Sequence, residues 1–184
     1  LPEEVPTHFD FSGTPDGYSG RLFAVVGLPL FILACPLFCA VVTRADPIKQ
    51  NISEKLMNIV LWICPVVSLY ASAMVYSYAL GYAINAARAG TFLVGILFVV
   101  VGNYLPKCRQ SYTVGIKLPW TLDDEDNWYH THRFAGCVWM ILGLAILTIG
   151  LLGSFPSVLL AAPIVAVVLP AVYSFLYAKR HGKV

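Results

Sequence analysis

The chain has 184 residues, 58% of them hydrophobic and only 12% charged, with a formal net charge of +2 and a mean hydropathy of +0.73. That balance excludes a soluble globular domain and marks an integral membrane protein.

Residues 1–20 hold Glu3, Glu4, Asp10 and Asp16, with no basic residue before Arg21. Pro2, Pro6 and Pro15, with turns expected at Gly13 and Gly17, predict a folded extracytoplasmic cap. His8 with Asp10 and Asp16 is its candidate site, although turn formation is the more economical use of these residues. The sequence opens at Leu1-Pro2 without an initiator methionine or apolar leader, so a preceding helix is expected in the parent protein, giving six spans.

Five segments, 21–43, 56–80, 88–105, 133–152 and 157–178, are long and apolar enough to cross a hydrocarbon layer as helices. A lipid-exposed backbone must satisfy its own hydrogen bonds, and these runs are too continuous for barrel strands. The expected fold is all-α, a polytopic transmembrane helical bundle over 21–178 with loops at 44–55 and 106–132 and a tail at 179–184.

Within the first two spans, Cys35, Cys39 and Cys64 read as packing residues, as does Cys137 in the fourth; Cys108 falls in the long loop. Tyr70, Tyr76, Tyr78 and Tyr82 gather toward one end of the second span, as an interfacial belt does. Pro29, Pro36, Pro65, Pro163 and Pro170 each remove a helical donor, and the carbonyls so freed need partners. Gly136, Gly143 and Gly150 recur every seven residues, with Gly95 and Gly102 on the preceding span, and predict close helix approach. No span has an acidic residue or a histidine at its centre, which argues against ion-coupled transport.

The loop at 106–132 is the longest polar stretch. Pro106 ends a helix, Gly115 permits a backbone angle closed to other residues, and Pro119 extends Leu118. Thr121 with Asp124 forms a capping-box-like pattern, so a helix is expected to start near 122 and run into the fourth span. Asp126 and His130, at i and i+4, can pair on one face, whereas His130 and His132 point apart and make a poor metal pair. No nucleophile is visibly paired with a base, so no catalysis, metal or cofactor is expected. Trp62, Trp120, Trp128 and Trp139 all lie toward this end and are expected to anchor it at headgroup depth.

Ten of the 12 basic residues fall on one side: Arg44, Lys49, Lys55, Lys107, Arg109, Lys117, Arg133, Lys179, Arg180 and Lys183. Arg21 and Arg88 fall on the other, so the long loop and the C-terminus are expected in the cytoplasm and residues 1–20 outside. The candidate partner- or lipid-binding residues are Asn103, Tyr104, Lys107, Arg109, Lys117, Trp120, Trp128, His132 and Arg133.

The run Gly102-Asn103-Tyr104-Leu105-Pro106-Lys107, then Gly115-Ile116-Lys117, Pro119-Trp120-Thr121-Leu122, Trp128 and Thr131-His132-Arg133, resembles the signature of SdpI-like bacterial membrane proteins. Those are relatives of the immunity protein against the sporulation-delaying peptide toxin. Residues 1–20 are similar to an extracytoplasmic module of that family, and Asp46-Pro47 with Asn51 resembles its first cytoplasmic loop. Lys117-Leu118 stand where the family usually has arginine and threonine, and His130 where it has lysine. The resemblance implies a bacterial cell-membrane protein giving resistance to a membrane-active peptide, with membrane lipids, a peptide toxin and a cytoplasmic DNA-binding repressor as partners and no direct contact with nucleic acid. The cap residues His8, Asp10 and Asp16 are, on their own chemistry, candidates for binding a cation or contacting a toxin. The alternative is a small transport or lipid-handling protein with a cleft between kinked helices.

Overall fold

The computed structural model describes residues 1–10, 12–82, 84–153 and 156–183. A hairpin, β1 (Glu4–Phe9) and β2 (Pro15–Gly20), precedes α1 (Leu28–Arg44), α2 (Glu54–Ala79), α3 (Ala86–Tyr104), the short α4 (Pro119–Leu122), α5 (Glu125–Leu152) and α6 (Pro156–Arg180). Among the described residues, five helical stretches are long and apolar enough to span a membrane, and they carry exposed Phe31, Phe38, Leu69, Leu144 and Leu152. The chain is a multi-pass membrane protein built as a helical bundle.

Local chemistry sets the helix starts. The Ser53 hydroxyl accepts from the Leu56 N–H at 3.3 Å and the Asn85 side chain from the Arg88 N–H at 2.9 Å, so α2 and α3 each begin on a polar cap. Pro29 does not interrupt α1 as the sequence suggested. It lies in the first turn, after a π turn at Phe23–Gly27 whose Leu28 N–H donates to Phe23 O, and that wide turn absorbs the missing donor.

The glycines make the closest helix contact. A Cβ on Gly102 would sit 3.0 Å from Gly136 O, and one on Gly143 would sit 2.9 Å from Gly95 O, so α3 and α5 meet backbone to backbone. Beside that seam Phe98 and Ile146 pack with Ala162 and Ala166 of α6. Trp139 stacks on Phe98 at 4.7 Å and its indole N–H donates to Ala166 O at 3.0 Å. Pro170 cannot donate to that carbonyl, so the indole supplies the partner that a proline inside a membrane helix needs. Trp139 is therefore a packing residue; of the four tryptophans, Trp62 is the one that stands well exposed.

The first segment forms a two-stranded antiparallel sheet where the sequence suggested only a cap with turns. Gly13, at φ +85°, makes the turn, but Gly17 lies within β2 opposite His8, at a break in register. Val5 is fully buried against Ala24 and Val75, and Phe9 meets Tyr78 edge-on at 5.1 Å. Tyr76 donates to Ala24 O at 3.1 Å and Tyr70 to Ala89 O at 2.8 Å, so three of the four clustered tyrosines serve packing and Tyr82 alone is broadly exposed. The hairpin turn reaches α3, with the Gly13 backbone against Ala87.

Candidate functional site

At the end of the bundle opposite the hairpin, the segment between α3 and α5 folds into a collar held by one carboxylate from the loop between α1 and α2. Asp46 is buried, and its Oδ2 accepts from the Ser111 hydroxyl at 2.9 Å, the Tyr112 N–H at 3.0 Å and the Thr113 hydroxyl at 2.8 Å. Its Oδ1 accepts from the Ile48 N–H at 2.9 Å. Desolvation alone would raise the Asp46 carboxyl, yet these donors outweigh it and hold the group below the ordinary carboxylate value. Asn51 adds a second tie, donating to Gln110 O at 3.0 Å. Gln110 in turn donates to Thr121 O and Leu122 O at 3.0 and 2.7 Å.

The inner wall is aromatic and neutral. Trp128 is 2% exposed, donates to Cys108 O at 2.9 Å and stacks on His132 at 4.0 Å. The His132 Nε2 accepts from the Ile116 N–H at 2.9 Å, so the ring is neutral and its Nδ1–H donates to Trp128 O at 2.7 Å. Gly115 makes this geometry accessible: at φ +122°, a Cβ there would lie 2.6 Å from His132 Nε2 and 2.7 Å from the Trp128 ring. Burial pushes the Cys108 thiol up to about 11, so it stays protonated and unreactive near neutral pH.

A polar chain joins the collar to α6. Trp120 donates to the Ser174 hydroxyl at 2.6 Å, and that hydroxyl donates to Asn127 Oδ1 at 3.1 Å. The fully buried Asn127 also donates to Ser174 O at 3.1 Å and accepts from Thr131 at 2.9 Å. Asp124 caps α5 and pairs with Lys183 at 2.9 Å. Desolvation raises the Asp124 carboxyl, but the Lys183 ammonium and the Asp126 N–H hold it below its ordinary value.

These contacts revise three expectations from the sequence. The helix after the loop is split: Thr121 caps the start of α4 by accepting from the Leu118 N–H at 2.9 Å, α4 ends at Leu122, and α5 starts at Glu125 on the Asp124 cap. Asp126 does not pair with His130, which instead stacks on Tyr177 at 5.2 Å. Trp120 and Trp128 do not anchor the collar in headgroups, because both indole N–H groups are used internally.

The nine residues singled out from the sequence thus fall into separate places. Trp128 and His132 are buried, and the half-buried Trp120 spends its indole N–H on Ser174. Lys107 lies 4.6 Å over the Tyr104 ring and donates to Asn103 at 3.4 Å. Lys107 and Arg109 line an open groove of about 530 Å³ with Asn51, Gln110, Glu125 and Tyr129. Arg133 donates to the Tyr129 hydroxyl at 2.6 Å on the rim, and Lys117 turns back to Thr113 O at 3.3 Å. On the hairpin, His8 and Asp16 pair at 2.5 Å, while Asp10 accepts from Ser12 and Thr14 of its own turn. The Ser12 hydroxyl and Thr14 N–H lower the Asp10 carboxyl. The sequence reading missed Asp46 as an organising group and Ser174 as its counterpart on α6; an aspartate directly before a proline at a span end was the available signal for the first.

Comparison with known proteins covers both ends of the molecule. Residues 107–174 match the model of the SdpI/YfhL protein family, and residues 1–33 match that of a domain of unknown function, DUF1648. A curated relative described as immunity protein SdpI, from Bacillus subtilis (strain 168), is 26% identical over 186 residues, spanning 98% of this chain and 86% of the relative. No solved structure matches the chain.

Proposed function

We propose, from its similarity to SdpI-family proteins, that the chain confers immunity to a membrane-active peptide toxin, by binding rather than by covalent chemistry, with its collar facing the cytoplasm. The observation that carries this reading is the collar itself. One buried carboxylate fixes residues 111–113 of the loop and Asn51 fixes Gln110, so Lys107 and Arg109 are presented from a rigid support. Neither cation has an ion-pair partner among the described residues. The basic groove suits an acidic protein surface, and a cytoplasmic DNA-binding repressor held at the membrane is the partner we assign to it. The ten-to-two distribution of basic residues supports the orientation.

The test is survival of a peptide-sensitive strain expressing the full-length protein, with membrane insertion verified. Protection is expected, and the peptide should be recovered intact by mass spectrometry. Cleaved peptide would overturn the non-enzymatic reading. Normal insertion with no protection against a panel of membrane-active peptides would overturn immunity.

A second reading, lipid handling, is favoured by an apolar cavity of about 260 Å³ under the collar, lined by Ile59, Ile63, Val101, Leu105 and Ile116. Transfer of labelled lipid between vesicles by the purified protein would select it.

A further inference from the structure

The groove above does not account for the basic residues at the end of α6. There a separate cleft of about 750 Å³ opens between α5 and α6, walled by His130, Tyr173 and Tyr177 and edged by Leu176, Lys179 and Arg180. We propose that this cleft is a binding site for one anionic phospholipid, with the headgroup phosphate between Lys179 and Arg180 and an acyl chain running down α6.

The wall is rigid. Tyr177 stacks on His130 at 5.2 Å and on His181 at 4.2 Å, and Tyr173 stacks on Phe134 at 4.5 Å, so the rings brace one another across the two helices. The charge is free. Lys183, the third cation of this end, is consumed by Asp124 at 2.9 Å, whereas Lys179 and Arg180 have no ion pair among the described residues. Lys183 is held there partly by its backbone, whose N–H donates to Ala178 O at 3.0 Å. The apolar track is continuous. Leu176 lines the cleft, and Leu169 and Val172, spaced to share its face of α6, are 45% and 49% exposed, so an exposed apolar face leads from the cationic rim along the helix. Tyrosine rings at the junction are amphipathic and suit headgroup depth. Cations above and an apolar groove below match a phospholipid, and two unpaired cations favour an anionic headgroup over a zwitterionic one. This inference is independent of immunity, since it rests on α6 and not on the 107–118 loop.

The experiment reconstitutes the full-length protein in phosphatidylcholine vesicles and measures, by electron spin resonance, its relative association with spin-labelled phosphatidylglycerol and phosphatidylcholine. Phosphatidylglycerol should be preferred. Replacing Lys179→Gln and Arg180→Gln should lower that preference by about fivefold per cation, and Lys179→Arg should preserve it. Leu176→Trp, which fills the apolar side and keeps both cations, should also lower it. Lys49→Gln with Lys55→Gln removes the same charge elsewhere and should leave it unchanged. An equal loss in that control would overturn the proposal, because diffuse surface charge would then explain the preference. Full displacement of the labelled lipid by water-soluble glycerol phosphate would overturn it too, as the site would then take phosphate alone.

Discussion

The Asp46 carboxylate and the Ser111 hydroxyl, 65 residues apart in sequence, meet at 2.9 Å and join the loop after α1 to the loop after α3. Three further donors converge on the same buried group, with no cation beside it among the described residues. Hydrogen bonds to an ionised acceptor contribute more than neutral ones, and an amide would turn one donor toward other donors. Asp46→Asn should therefore destabilise the protein by roughly 2–3 kcal/mol, read as a lower thermal midpoint in detergent.

The same group predicts a response to acid. Its folded value is depressed, so its contribution is fully present above the ordinary aspartate value and is lost as pH falls through the lower folded value. Stability should thus be flat near neutrality and fall below about pH 4. Asp124, depressed in the same direction, adds to the slope. Thermal midpoints measured from about pH 3 to about pH 7 should show a shallower acid decline in Asp46→Asn than in the unmodified protein.

Gly115→Ala tests the close approach of the loop to the aromatic wall. The methyl group would meet both His132 and Trp128, and the backbone angle is unfavourable for alanine. The Ile116 to His132 bond should break, giving a loss of at least about 1–3 kcal/mol and a red shift of tryptophan emission. In the unmodified protein, nitrogen NMR of labelled histidine should show His132 as the Nδ1–H tautomer.

Trp139 and Pro170 should be coupled. Trp139→Phe leaves Ala166 O without its donor, at a cost of about 1–3 kcal/mol for a buried orphan acceptor. Pro170→Ala restores a backbone N–H four residues along. In a double-mutant cycle the tryptophan substitution should cost less on the alanine background; equal costs would show that the indole contributes packing alone.

Hydrophobicity made the spans readable, and the seven-residue glycine spacing made the α3–α5 seam readable, because both are local properties of a helix. The hairpin was not, since its strands contain Pro6 and Gly17 and are stabilised by burial of Val5 against Ala24 and Val75, partners that no short window includes. The collar was only partly visible for the same reason. Gly115 and Pro119 flagged an ordered loop, but the fate of Trp128 depended on a carbonyl 20 residues away, and Asp46 depended on donors from a loop beyond two helices. Sequence spacing located the polar segment; only the folded chain shows which of its side chains face outward.

Ser174 lies 54 residues after Trp120 and 47 after Asn127, and Lys183 follows later still. During synthesis, the ribosome will have delivered Trp120 and Asn127 before their Ser174 acceptors exist, and Asp124 before its Lys183 partner. Assembly of this end is therefore a late event in biogenesis, and a nascent chain stalled ahead of α6 would present unsatisfied amide and indole groups.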